Sequence, residues 1–316
     1  MVNQGELTLR EDLPEDHRSG FVAVLGKPNV GKSTLINAYV GQKVAIVSSK
    51  PQTTRRTLRG ILTLPQAQVV FVDTPGLHKP RHKLGEFMVE SAARVIPDAD
   101  VVLFMVDVSV SPSADDEELA TLIRQRGTAP CIMVMNKVDL LPQGEEARAR
   151  AYESICDCGR SVVISATEGR NRDQLLQWII GLLPPGPRFY PPDEITDQPL
   201  RFMAAELVRE QVLNYLYQEV PHWVAVVVEE FEERREDLTY IEATVYVSKE
   251  SQKGIVIGER GEMLKRIGAA ARGEIERLLG TRVYLDLWVK VRDRWPLREA
   301  ALRDLGFVLP RGSEER

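Results

Sequence analysis

The run Gly26-Lys27-Pro28-Asn29-Val30-Gly31-Lys32-Ser33 is a Gly-x4-Gly-Lys-Ser loop, a pattern that becomes a phosphate site only between a strand and a helix. Both flanks are present. The apolar run Phe21 to Leu25 precedes it, and Lys32 to Tyr39, with Thr34 in its first turn, has a helix-like pattern. Glycines let backbone amides turn inward at a helix N-terminus, where orphan N–H groups and the helix dipole favour negative charge. Lys32 is then placed to reach the β- and γ-phosphates and Ser33 to offer its hydroxyl to Mg2+.

The remaining parts of a guanine-nucleotide site follow in order. A second apolar run, Gln68 to Val72, ends in Asp73-Thr74-Pro75-Gly76. Asp73 is predicted to hold the metal through water, and the Gly76 amide to report the γ-phosphate. A third run spans Val101 to Asp107, and a fourth, Cys131 to Met135, leads into Asn136-Lys137-Val138-Asp139. Asp139 is placed to accept hydrogen bonds from the N1–H and 2-amino groups of guanine. Adenine offers no such pair, and a buried carboxylate left unpaired costs about 2–5 kcal/mol, so GTP is selected over ATP. Ser165-Ala166-Thr167, after a fifth run from Ser161 to Ile164, is expected to clamp the guanine oxygen through its backbone.

Three hundred and sixteen residues suggest two domains. A net charge of -5 argues against wholesale wrapping of nucleic acid while leaving room for a local basic face. Cys131, Cys156 and Cys158 lack metal-ligand spacing in sequence, so a reduced, cytoplasmic protein with no structural zinc is expected. No run approaches the roughly 18–20 apolar residues of a transmembrane helix, and the first 20 residues are charged rather than signal-like.

From Phe21 to Leu183 apolar runs alternate with helical patterns over Leu84 to Ile96, Asp115 to Arg126 and Asp173 to Leu183, which predicts an α/β domain with a mostly parallel sheet and helices on both faces. A Pro-rich stretch follows, read as a linker. The expected organisation is an extension over 1–19, a GTPase domain over 20–183, a linker over 184–200, a second domain over 201–303 and a tail over 304–316. Residues before 20 and from 310 onward read as poorly ordered.

In the second domain a helix over Phe202 to Tyr217 precedes a strand over Trp223 to Val228, a charged hairpin tip over Glu229 to Asp237 and an alternating strand over Leu238 to Val247. Next comes Gly258-Glu259-Arg260-Gly261, then a helix to about Leu279 and a strand over Arg282 to Val291. Gly-x-x-Gly in an α-β-β-α-α-β order matches an α+β KH module of the prokaryotic type, type II, whose loop clamps single-stranded RNA. The charge agrees. Ala204 to Ser248 holds 3 Lys/Arg against 10 Asp/Glu, whereas Lys249 to Arg303 holds 13 against 8. Lys253, Arg260, Lys265 and Arg266 surround the loop and would neutralise phosphates, while Glu259 and Glu262 weaken a purely electrostatic grip.

A GTPase domain with these motifs and Gln52-Thr53-Thr54-Arg55, joined through a Pro-rich segment to a KH module, resembles the Era GTPase family. Asp197-Gln198-Pro199, Ala205 to Glu210 and Val220 to Phe231 carry the resemblance further, and it spans about Gly20 to Phe307. It implies an α/β P-loop GTPase with a type II KH domain, using GTP/GDP and Mg2+. Its implied partners are the 3′ end of 16S rRNA and the 30S subunit, during small-subunit assembly. It further implies a mostly monomeric cytoplasmic protein, with peripheral residence at the inner face of the cell membrane as an added option. The alternative is a GTPase acting on a protein or membrane partner with the KH fold as scaffold.

Small signalling GTPases orient the attacking water with a Gln directly after Asp-x-x-Gly; here that position is Leu77. Since positioning and charge neutralisation carry phosphoryl transfer, slow hydrolysis is expected. Asn29 is the candidate to help bind a K+ ion that supplies the missing positive charge, loop rigidity being its other reading. Thr54 is chosen to close over Mg2+ and the γ-phosphate, with Thr53 as the alternative register. His78 and His82 read as exposed residues of a switch loop.

Overall fold

Strands buried on both faces must be apolar throughout, which is how the runs leading to the nucleotide motifs read. In the structure, a computed structural model that describes residues 13–308 except His78, Arg81, Glu146 and Gln218, they form β1 (Arg18–Leu25), β3 (Ala67–Asp73), β4 (Val101–Asp107), β5 (Cys131–Asn136) and β6 (Arg160–Val163). All pair in parallel. A strand that the sequence reading did not anticipate, β2 (Leu58–Thr63), joins β3 antiparallel at the edge, giving the order β2-β3-β1-β4-β5-β6. Successive side chains of β1 enter opposite cores. Val22 and Val24 pack with α1 (Lys32–Val40) and α5 (Arg172–Leu182) through Leu35, Ile36, Leu175 and Ile179. Ala23 and Leu25 pack with α2 (Lys83–Val95) and α3 (Ala114–Arg126) through Ala92, Leu119 and Ile123. Each buried Val, Leu or Ile among these stabilises the fold by about 1.5–3 kcal/mol relative to leaving it exposed. A short α4 (Ala147–Glu153), also not anticipated, buries Tyr152. The strand order reverses at β1, and in open parallel sheets ligands bind beyond the carboxyl ends of the strands at that point.

The chain divides into two compact units, the first comprising Met1–Ala45, Thr54–Lys79 and Met88–Asp197. Arg18 and Ser19 belong to β1, so order begins before Gly20; most of the extension read as disordered, and the tail from 309 onward, lie outside the described residues. Much of the Pro-rich segment is bound to the first unit. Ser19 N–H donates to the Pro184 carbonyl at 3.1 Å and Ile61 N–H to that of Ile195 at 2.9 Å. The fully buried Gln68 amide serves Phe189 and Tyr190, accepting from both N–H groups and donating to the Tyr190 carbonyl.

The second unit comprises Ile46–Thr53, Pro80–Phe87 and Gln198–Arg316. It contains α6 (Leu200–Tyr215), β7 (Ala225–Arg235), β8 (Leu238–Val247), α7 (Glu250–Ile257), α8 (Glu262–Leu279), β9 (Arg282–Val291) and α9 (Glu299–Asp304), with sheet order β7-β8-β9. β7 pairs antiparallel and β9 parallel with β8. The expected hairpin tip over Glu229 to Asp237 is corrected: the strand runs on to Arg235 and only Glu236 and Asp237 turn. Its charged residues face solvent while the ladder continues, with register shifts after Val228 and Glu233. Ile46 is buried in this unit's core beside Val208 and Val212. Val47 N–H donates to Glu210 Oε1 at 2.9 Å, and Arg209 donates to the Thr53 carbonyl.

Candidate functional site

The phosphate loop leaves β1 at Leu25 and enters α1 at Lys32. Gly31 holds φ 105°, and a Cβ there would lie 2.3 Å from the Asn136 side-chain nitrogen. Any other residue there is strained and must displace that amide. Lys32 turns back inside the loop, its Nζ donating to the carbonyls of Gly26 at 3.0 Å and Lys27 at 2.9 Å. Burial lowers its pKa to about 8, with nearby Asp73 pulling the other way. The Lys27 side chain leaves the loop for Asp116 (2.6 Å) and Ser113 (2.9 Å). Val30 is buried, Asn29 is exposed at φ 64°, Pro28 lies against Gly76, and Thr34 sits in the first turn of α1.

Asp73 ends β3 fully buried. Its Oδ2 accepts from Ser33 Oγ at 2.7 Å and from Thr54 Oγ1 at 3.2 Å, and the two hydroxyls are 3.1 Å apart. Burial raises the Asp73 pKa, opposed by Lys32 and by those hydroxyls. Its Oδ1 is buried with no hydrogen-bond partner among the described residues. An orphaned carboxylate oxygen beside two hydroxyls is a hard oxygen set that fits Mg2+. The two threonines differ in their partners, Thr53 Oγ1 instead donating to the Lys50 carbonyl at 2.6 Å. Gly76 is followed closely by a tie to the loop, Leu77 N–H donating to the Gly26 carbonyl at 3.2 Å. Leu77 itself is buried among Ala23, Leu25 and Ile96. His82 accepts from Gly85 N–H through Nδ1, and His78 lies outside the described residues.

Asn136 ends β5 almost fully buried. Its Nδ2 donates to the Val30 carbonyl at 2.8 Å and its Oδ1 accepts from Ala166 N–H at 2.9 Å. The Ala166 amide, read from sequence as a guanine clamp, is thus bonded within the protein, and Asn136 links the phosphate loop to the Ser165-Ala166-Thr167 loop. Ser165 is fully buried, its hydroxyl 3.2 Å from that of Thr167. Lys137, at φ 67°, pairs with Asp107 at 2.5 Å. Sequence reasoning missed this partner. The signal was available, since Asp107 ends the strand beside β5 and pairs in register with Asn136. Asp139, on the short turn Val138–Leu140, is exposed. Its carboxylate is therefore not buried by the protein, and selection of guanine through it requires the base itself to cover it.

In the second unit, α7 ends at Ile257, and Gly258 (φ 74°) and Gly261 (φ 81°) bracket the exposed Glu259 and Arg260 before α8 begins. A Cβ on Gly261 would meet nothing within 4 Å, leaving the backbone open to approach. α8 buries Ile267, Ala271 and Ile275. Its opposite face shows exposed Lys265 and Arg266, the latter 5.1 Å from the Tyr215 ring, and Lys253 is half-buried on α7.

Two family models match the chain: a 50S ribosome-binding GTPase model over residues 21–137 and a KH-domain model over residues 219–296. A protein of Carboxydothermus hydrogenoformans named GTPase Era is 47% identical over 294 residues, covering 92% of this chain and 98% of its own. A GTPase Era of Caldanaerobacter subterraneus subsp. tengcongensis is 48% identical, covering 93% and 99%. Among solved structures, an Aquifex aeolicus Era variant bound to GDP.AlF4- superposes with TM-score 0.88 at 40% identity, covering 92% of this chain and all of that one. An Era complex with MgGDPNP and nucleotides 1506–1542 of 16S ribosomal RNA gives TM-score 0.88 at 39% identity, covering 93% of this chain and all of that one.

Proposed function

The chain belongs to the Era family of GTPases, and from that premise we propose that it hydrolyses GTP to control a KH module that holds the 3′ end of 16S rRNA during 30S assembly. The observation that carries this reading is the presence, in one chain, of the Asp73–Ser33–Thr54 oxygen cluster at a phosphate loop and an open Gly258-x-x-Gly261 turn on a basic helix face. Backbone amides at the start of α1 receive the phosphates, and Lys32 changes partners from loop carbonyls to phosphate oxygens. Ser33 and Thr54 would hold Mg2+ through their hydroxyls and Asp73 through its carboxylate, and the ion, when bound, would supply positive charge against that developing on the phosphates. Thr54 and the Gly76 amide are the two groups placed to register the γ-phosphate. Leu77 faces the core rather than the phosphates, so no side chain at that position aims a water and turnover by the isolated protein is slow.

No described helix is long and apolar enough to cross a membrane. The cytoplasm, with peripheral residence on the inner membrane face as an option, is the compartment this reading assigns. The test is binding of the full chain, charged with a non-hydrolysable GTP analogue, to an oligonucleotide of the 16S 3′ end. Gly261→Asp adds a negative side chain where the phosphates of the RNA would lie and strains a φ of 81°, so affinity should fall by more than about tenfold while GDP affinity is unchanged. Lys265→Ala should act more mildly and reduce the slope of log affinity against log salt by about 0.7 per lost contact. Parental RNA affinity in Gly261→Asp would make the KH module a scaffold and leave a protein or membrane partner as the better reading.

A further inference from the structure

Cys131, Cys156 and Cys158 stand apart in sequence, yet their sulfurs meet. Cys131 is the first residue of β5, and the other two lie between α4 and β6. Sγ of Cys158 is 2.9 Å from that of Cys131 and 2.7 Å from that of Cys156, and all three lie within 4.8 Å of one another. Among the described residues no other three His, Cys, Asp or Glu ligand atoms converge in this way. The three side chains are half-buried against the apolar layer that includes Ile155 and Val163. Cysteines acting only as small hydrophobes would pack their sulfurs against carbon. Three thiols aimed at one another gain little, because S–H is a weak donor and sulfur a weak acceptor.

We propose that these residues form a three-thiolate site for one thiophilic d10 cation, Zn2+ or Cu+, at the end of the sheet opposite the nucleotide motifs. The ligand set is all sulfur, which disfavours Mg2+ and Ca2+ and suits these ions. A metal–sulfur distance of about 2.3 Å places sulfurs roughly 3.8 Å apart around one ion, so Cys158 needs to part from each of its two neighbours by only about 1 Å. Binding converts three thiols to thiolates and releases their three protons to solvent. With Zn2+ the site would carry a net single negative charge, which the neighbouring Arg124 complements. The ion would pin the start of β5 to the approach of β6, the two strands whose far ends carry Asn136-Lys137-Val138-Asp139 and Ser165-Ala166-Thr167. Sequence spacing concealed the site because Cys131 arrives through strand order.

The test uses the full chain, reduced, metal-free and kept from air. Co2+ is titrated to read a thiolate-to-cobalt charge-transfer band, Zn2+ is used to displace it, and Cu+ is offered from a chromophoric chelator in a separate arm. One ion per chain is expected, with at least a 100-fold loss of affinity in Cys156→Ser and Cys158→Ser and unchanged GDP affinity, since the sulfurs lie away from the loop. A saturating ion should raise the parent's unfolding midpoint by about 3 °C or more. Independently of any variant, the bound ion should protect all three thiols of the parent from alkylation, read by mass. Failure to bind either ion, binding unchanged in both serine variants, or alkylation unaffected by metal overturns the site.

Discussion

The side-chain nitrogen of Asn136 stands 2.3 Å from where a Cβ on Gly31 would lie, and the same amide donates to the Val30 carbonyl. One residue of the guanine motif thereby shapes the phosphate loop. Gly31→Ala must both strain a φ of 105° and displace that amide, so GDP affinity should fall at least 100-fold. Asn136→Ala leaves the Val30 carbonyl and Ala166 N–H buried without partners, about 1–3 kcal/mol each, and should lower the unfolding midpoint. Because the two residues contact each other, the double variant should be less damaging than the sum of the singles. Additive losses in GDP affinity and midpoint would show that the contact carries no coupling.

Asp139→Asn should shift preference from GTP toward xanthosine triphosphate. The amide can donate to the extra base carbonyl where the carboxylate could only accept. Asp139 is exposed, so the change should leave the unfolding free energy within about 0.5 kcal/mol of the parent. Dissociation constants for both nucleotides decide it, and unchanged GTP selectivity would remove Asp139 from the base site.

Lys32 supplies a pH dependence whose sign is fixed by burial. Its pKa in the ligand-free protein is lowered to about 8 from an ordinary 10.5, so above pH 8 the free loop holds a largely neutral amine. Phosphates restore the charge. GDP binding should then take up protons between about pH 8 and 10.5, and affinity should decline as pH rises through that window. Calorimetry at pH 8.5 without Mg2+, in buffers of different ionisation enthalpy, reads the uptake directly. Lys32→Met should abolish it, whereas uptake persisting in that variant would assign the proton elsewhere.

Hydrolysis by the isolated protein should be faster in K+ than in Na+ at matched ionic strength, and Asn29→Ala should remove the difference while retaining nucleotide. The motive is the pairing of a core-facing Leu77 with an exposed Asn29 at the mouth of the loop. Equal rates in the two salts would leave Asn29 as a loop-shaping residue at positive φ.

Much of the nucleotide site was legible because its signals are local. A glycine spacing, an apolar run of four to seven residues and the polar residues at its end all lie within a few positions of one another, and the strand over Val101–Asp107 begins and ends where the pattern places it. Where charge outvoted pairing, the reading failed: the acidic run in β7 looked like a loop, yet its backbone is held by β8 and its side chains need only water. β2 went unnoticed for a related reason, since an edge strand of mixed composition is identified by its antiparallel register with β3 rather than by its own residues.

The sequence alone therefore determined the order of the motifs, the kind of nucleotide, the two domain types and the basic face of the KH module, since each depends on residue types at short spacing. Tertiary structure decided the rest. It set the Thr54 hydroxyl against Asp73 and that of Thr53 on the Lys50 carbonyl, committed Asn136 and Ala166 to each other, bound the Pro-rich segment to Gln68, and brought Cys131 to Cys156 and Cys158. Apart from that of Thr53 with Lys50, these contacts join residues about 20 to 120 positions apart, and because loop closure costs only a slowly growing entropy, it is strand order and burial that select them.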